Sequence, residues 1–361
     1  MYISYSSILT LTLLAFTVSA KKDNHSNGKH NPKGRAFQRI LQVWFENQDF
    51  ADVSAVPGFN DLVKEGILLD NFNAITHPSE PNYVAAGGGS NFGITNDDYY
   101  NIPANVSTIY DLLENKGLTW KVYQEDIPSV GYTGYKAGQY VRKHNPAIIF
   151  DSVGLNATRL QNIVGGNTNR ATQTEQHKEM NIKPYAHHIN LDDQFQKDVT
   201  SGDLPAWMFY TPNMLNDGHD TNASYAGNWL ASFYEKTLKS NPNFLKETLV
   251  LITFDENHSK TTARNRVWSL LLGAVPKKLK GTTDSTFYTH YSTLNSVERN
   301  WDLGNLGRGD TNKTESNVFK FAEKALHYKN VDISIADAPW NLEFLPGMMT
   351  GKSYNQTHAA V

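Results

Sequence analysis

Three apolar runs, each ending in polar residues with useful chemistry, constrain the fold more than any other feature of this chain. Arg39 to Phe45 passes straight into Glu46-Asn47, Ala206 to Thr211 leads to Asn216-Asp217-Gly218-His219-Asp220, and Leu249 to Phe254 passes into Asp255-Glu256. Short β-branched and aromatic strands alternating with helix-like segments specify an α/β fold, with a central, mainly parallel sheet flanked by helices. In open sheets of this class ligands bind at the C-terminal edge, which is where all three polar groups fall.

The segments between fit that architecture. Ser107 is expected to cap a helix carrying Ile109, Leu112 and Leu113, which stops at Gly117 before a strand from Thr119 to Tyr123. A second helix is predicted from Tyr225 to Leu238, where Trp229, Leu230, Phe233 and Leu238 form a core-facing stripe. Asn162 to Lys178 is rich in Asn, Thr, Gln and Gly and lacks apolar periodicity, so it reads as a long surface loop or lid. Nothing resembling a linker divides Phe37 to Leu345, which is read as one domain between a flexible lead-in (residues 21–36) and a C-terminal tail (residues 346–361).

Residues 1–20 hold no charged side chain and contain an apolar run from Ile8 to Val18 that closes on Ser19-Ala20. The run is shorter than the roughly 20 residues a spanning helix needs, and its end has the form of a cleavage site, so a signal peptide and secretion are expected. Sequons at Asn24, Asn105, Asn156, Asn222, Asn257, Asn312 and Asn355 suit export, with N-linked glycans mostly on exposed loops. The absence of cysteine rules out thiol nucleophiles and Cys-type zinc sites, and the roughly 310 residues from Phe37 to Leu345 can bury a large core without disulfides. A formal net charge of −3 with dispersed basic residues argues against nucleic acid as a partner, and Lys277, Lys278 and Lys280 read as a solvated turn. No stable membrane anchor and no exposed apolar stretch are expected.

Asp255-Glu256 brings two carboxylates together just past an apolar strand. Such a pair either takes a divalent cation or forms a turn in which Asp255 caps a following helix. Glu46-Asn47 supplies another carboxylate and an amide oxygen in the same placement, as hard ligands or as an ordinary strand end. His77-Pro78-Ser79-Glu80-Pro81-Asn82-Tyr83 fixes a serine between prolines, and Ala86-Gly87-Gly88-Gly89 allows close packing behind it. Ser79 is therefore either a nucleophile that needs activation by a metal or base, or part of a structural turn; no Gly-x-Ser-x-Gly elbow suggests acyl transfer. His219, among Asp217 and Asp220, can position phosphate or exchange protons, or simply face solvent on an Asp-Gly turn. His290, His144, His187 and His188 are further candidates.

In this order, Glu46-Asn47, Thr76-His77-Pro78-Ser79-Glu80-Pro81-Asn82-Tyr83, Asn216-Asp217-Gly218-His219-Asp220 and Phe254-Asp255-Glu256 resemble the phosphoesterase family that contains fungal secreted acid phosphatases, bacterial acid phosphatases and phosphate-cleaving phospholipases C. The resemblance covers most of Phe37 to Leu306 and implies an alkaline-phosphatase-like superfold. It implies Glu46, Asn47, Asp255 and Glu256 as ligands of a divalent metal ion of unspecified identity, with Ser79 as a nucleophile that also touches the metal. By the same resemblance Asn82 hydrogen-bonds the phosphoryl oxygens, while His219, with Asp217 or Asp220 nearby, binds phosphate or protonates the leaving oxygen. His290 is grouped with the substrate-binding residues; His144, His187 and His188 have no assigned role. Plant and some bacterial relatives carry threonine at the nucleophile position and arginine where this chain has Tyr83, which leaves substrate preference open. The expected function is a secreted, metal-dependent phosphomonoesterase of the acid phosphatase type, acting on small phosphate esters through a phosphoseryl intermediate. The alternatives are a phospholipase C and a glycoprotein that binds phosphorylated ligands without turnover.

Overall fold

The computed structural model describes residues 31–167, 193–260 and 262–351. The strands are β1 (Arg39–Phe45), β2 (Ile67–Asn73), β3 (Trp120–Gln124), β4 (Lys136–Ala137), β5 (Tyr140–Val141), β6 (Ile163–Gly165), β7 (Trp207–Thr211), β8 (Thr248–Phe254), β9 (Arg266–Gly273), β10 (Thr282–Asp284) and β11 (Tyr288–Thr289). The main sheet runs β10-β2-β9-β8-β1-β7-β3-β6, with β11 alongside β2, while β4 and β5 form a separate hairpin. Pairing is parallel throughout the main sheet except where β9 meets β2 and β8. The central strands β7 and β8 are buried at every residue. That suits a sheet with both faces covered and explains why they read as continuous apolar runs rather than alternating ones.

Two antiparallel steps through β9 return β2 to the direction of β8 and β1, so the segments that follow β1, β2, β3, β7 and β8 all leave from one edge. Glu46, the turn leading to Ser79, Glu125, Asp217 and Asp255 are thereby gathered from distant parts of the chain. Register sharpens this convergence. Phe45 lies beside Phe254 in the parallel pair, and the Asp255 N–H donates to Phe45 O at 3.0 Å, which sets Glu46 and Asp255 side by side.

The helix Ser79–Gly88 is buried along its whole length. A Cβ at Gly87 would come within 2.7 Å of Pro146 O, and one at Gly88 within 2.8 Å of the Phe150 ring, so these glycines permit the close packing expected of them. Gly89 then ends the helix with φ +69°, a left-handed conformation that favours glycine.

Several expectations shift. Thr108, not Ser107, caps the Ile109–Asn115 helix, because Asp111 at the third helical position completes a reciprocal capping box with it. The second predicted helix spans Ala223–Lys236 and buries Trp229, Leu230 and Phe233. The start of the supposed lid is strand β6, whose Ile163 and Val164 pair with β3 at the sheet edge; residues 168–178 lie outside the described residues, as do His187 and His188. Three residues are too few for periodicity to reveal a strand. Asn105, Asn156, Asn222 and Asn312 are exposed, but Asn257 is buried and donates to Asp49, so that sequon is closed to a glycan in the folded chain. Trp340, Leu342, Phe344 and Met348 expose large apolar surfaces where none was expected. Among the described residues, no helix is long and apolar enough to cross a membrane.

Candidate active site

Ser79 is the first residue of its helix, and its side chain points among the carboxylates. Its hydroxyl donates to Glu46 Oε2 at 3.0 Å and lies 3.4 Å from Asn47 Oδ1. Asn47 has φ +21°, an uncommon conformation for a residue other than glycine, of the kind held in place at functional sites. In it the backbone N–H reaches Asp255 Oδ1 at 3.3 Å, and the side-chain Nδ2 donates to Glu256 Oε1 at 3.0 Å. Glu46, Asn47, Ser79, Asp255 and Glu256 therefore form one connected group, with all three acids fully buried.

That burial has an electrostatic cost. Desolvation pushes Asp255 up to about 8, with the adjacent Glu256 charge adding to the shift, and Glu256 is raised to about 8 mainly by burial. Glu46 is raised by burial, then by repulsion from Asp255 and Asp217; Asp217 is also raised, foremost by burial. Acids so placed share protons or require a cation among them. Asp255 Oδ2 is buried and accepts no hydrogen bond from a described residue. Hard oxygen donors with an uncommitted buried oxygen fit a divalent cation.

His144 adds a nitrogen to this set. Its Nε2 lies 3.3 Å from Glu46 Oε1, its Nδ1 lies 3.5 Å from Asp217 Oδ2, and its ring stacks on Tyr83. Glu46, His144 and Asp217 can each offer a ligand atom within 4.8 Å of the others, so Glu46 belongs to two overlapping donor sets. Burial, then the charges of Lys143 and His219, lowers the His144 pKa and favours the neutral ring that a metal requires.

The remaining candidates are distributed differently. His219 is partly exposed; its Nδ1 is 2.9 Å from Asp220 Oδ1, and its backbone N–H donates to Asp217 Oδ1 at 2.8 Å. Asp220 is on the rim and Asp217 is fully buried. Asn82 spends its amide on the preceding turn. Its Oδ1 accepts from the N–H groups of Ile75 and Thr76, and its Nδ2 donates to the carbonyls of Thr76 and Pro78. His290 stacks on Trp44 with ring centroids 4.2 Å apart, and its Nε2 lies 2.7 Å from the Asp255 carbonyl oxygen. Its contacts thus reach the Asp255 backbone, behind the carboxylate.

Sequence reasoning passed over three neighbours. The Tyr83 hydroxyl donates to Glu46 Oε1, His77 Nδ1 meets Glu256 Oε2, and Lys143 Nζ lies 3.4 Å from His219 Nε2. Tyr83 and His77 sit in the same block as Ser79 and could have been suspected from that. Nothing in the sequence pattern singled out Lys143.

Comparison with known proteins gives the chain's family. An Aspergillus fumigatus protein named acid phosphatase is 41% identical over 90% of this chain and 68% of its own length. A Penicillium chrysogenum protein named phosphate-repressible acid phosphatase is 42% identical, over 91% of this chain and 74% of its own. Among solved structures, a protein in the alkaline phosphatase superfamily from Vibrio parahaemolyticus is similar with a TM-score of 0.48 and 13% identity, covering 78% of this chain and 71% of that one. The sequence model of the Phosphoesterase family matches residues 33–304, and the chain belongs to that family of phosphoric-ester hydrolases.

Proposed function

We propose that this chain is a secreted acid phosphatase that hydrolyses small phosphomonoesters through Ser79. The observation that carries the reading is the Ser79 hydroxyl at the start of a buried helix, donating to Glu46 inside a group of mutually repelling acids. The names of the fungal relatives supply the reaction type.

Glu46, Asn47, Asp255 and Glu256 would hold a divalent cation, with Glu46, His144 and Asp217 as an adjoining donor set. Such an ion, when bound, makes a hydroxyl more acidic and neutralises charge on phosphoryl oxygens. Ser79 Oγ attacks phosphorus in line with the ester oxygen, its proton passing toward Glu46, to which it already donates. The bond from phosphorus to the ester oxygen breaks, and His219 delivers a proton to the departing alcohol while Asp220 steadies the imidazole. Water then attacks the phosphoseryl group and gives a proton to His219, the bond from phosphorus to Ser79 Oγ breaks, and the proton held on Glu46 returns to Oγ as inorganic phosphate leaves. Asn82 shapes the turn that presents Ser79, and His290 fixes the Asp255 backbone, so both act on the machinery rather than on the ester.

The test is turnover of a chromogenic phosphomonoester and of phosphatidylcholine by purified protein, with and without chelator, beside Ser79→Ala. Hydrolysis of the monoester that is lost in Ser79→Ala and with chelator is expected. Preference for phosphatidylcholine would move the assignment to a phospholipase C, and binding without turnover of either substrate would make the chain a phosphate-ligand binder.

A further inference from the structure

Lys143 follows β5 in a short turn, Arg142–His144, and its side chain is only 13% exposed. Its Nζ lies 3.0 Å from Asp97 Oδ2 and 3.4 Å from His219 Nε2. The other oxygen of the same carboxylate, Asp97 Oδ1, accepts the backbone N–H of Glu80 at 3.0 Å. Glu80 is the residue after Ser79, on the first turn of the same helix. One carboxylate thus bridges an ammonium, held beside the histidine, and an amide adjacent to the nucleophile.

Two features suggest that this bridge stands in for something else. A carboxylate and a phosphoryl group present the same kind of acceptor oxygens, and an ammonium with a helix N-terminal amide is suited to either. Asp97 also belongs to a stretch that reaches the surface: Thr95 and Asn96 are exposed, and Asp97 is 28% exposed.

We propose that Lys143 and the Glu80 amide receive the phosphoryl oxygens of the substrate, and that Asp97 occupies this place in the free protein as an internal anion which the substrate displaces. The inference rests on Ser79 being the nucleophile, and it goes further by naming the binding cation and its competitor. Asp97 then sets affinity: it weakens binding of inorganic phosphate, the product, as well as of the ester.

The experiment is calorimetric titration of the full, divalent-loaded protein with inorganic phosphate, for the unaltered chain, Lys143→Met, Lys143→Arg and Asp97→Asn. Loss of a charge-assisted contact in Lys143→Met should weaken phosphate about tenfold or more, with Lys143→Arg recovering part of the loss. Asp97→Asn should tighten phosphate several-fold, because the competitor loses its charge. Unchanged phosphate affinity in Lys143→Met overturns the binding role. Weaker binding in Asp97→Asn overturns the competitor role, since it would mean that Asp97 only holds Lys143 in place. Should Lys143→Met not fold, the direction of change in Asp97→Asn still decides. The reading of Ser79 is judged separately, by turnover in Ser79→Ala, so failure of the one is told apart from failure of the other.

Discussion

Two groups of acids stand at the same edge of the sheet, separated by one strand. At the ends of β1 and β8, Glu46, Asp255 and Glu256 crowd around Ser79, and Asp255 Oδ2 accepts no hydrogen bond from a described residue. At the end of β3, beyond β7, Glu125 Oε2 accepts from Asn213 N at 2.9 Å and Asn216 Nδ2 at 2.7 Å. Beside it, Asp126 accepts from Asn167 Nδ2 and Asn213 Nδ2, both at 2.8 Å. Burial and a raised pKa do not distinguish the groups, because Asp255 and Glu125 are both pushed up to about 8 by desolvation and then by a neighbouring acid. Partners do distinguish them. Amides surround the second group, which ties the Asn213–Asp217 loop to the sheet, whereas the first retains a buried oxygen that the fold does not use. A strongly shifted acid marks a reactive centre only when its charge is left for something else to balance.

Replacing one acid of each group by its amide should separate them most widely. Asp255→Asn is expected to lower phosphomonoester turnover by about a thousandfold, the several kcal/mol of transition-state stabilisation that a metal site supplies, with the far-ultraviolet spectrum unchanged. An equal loss in Glu125→Gln would erase the distinction. Stability should respond the other way. Glu125→Ala leaves two buried donors without an acceptor and should cost about 3 kcal/mol by denaturant unfolding, while Asp255→Asn should leave the metal-free protein as stable as before or more so.

Cation removal gives the next effect. A divalent ion at about 100 times its Kd should stabilise the unaltered chain by about 2.7 kcal/mol in thermal unfolding. That gain should persist in Glu125→Gln and vanish in Asp255→Asn. The smallest effect is a change of slope with pH. The ordinary pKa of Glu125 is 4.5 and its folded value is about 8, so the folded state holds the extra proton across that interval. Its contribution is therefore complete below about 4.5 and declines as pH rises to about 8. Glu125→Gln, permanently neutral, should flatten the fall of stability over that window; an unchanged slope would mean that the group ionises as readily folded as unfolded.

The contrast between the two groups also measures how far sequence reasoning reached. The ends of β1, β7 and β8 were readable because strands covered on both faces are continuous apolar runs, and a polar residue just past such a run has only the sheet edge to occupy. Glu46, Asn47, Ser79, Asp255 and Glu256 come together as that pattern implies. The Glu125–Asp126 pair follows β3 in the same way but was passed over, and nothing local says that amides from the next loop will satisfy it. Asn82 shows the converse limit. Its residue type suits a phosphoryl ligand, yet only the folded turn reveals that its amide is already committed to backbone groups. Lys143 and Asp97 are 46 residues apart and meet through tertiary packing alone, which no spacing rule anticipates. The cap of the Ile109–Asn115 helix was misplaced at Ser107 for a local reason, since Asp111 three residues after Thr108 marks the capping box.

The most direct test of the account is to mix the divalent-loaded protein with a phosphomonoester, quench in acid within the first turnover and map the phosphorylated peptide. The account predicts phosphate on Ser79, and none in Ser79→Ala. Phosphate on another residue, or undiminished turnover in Ser79→Ala, would contradict it.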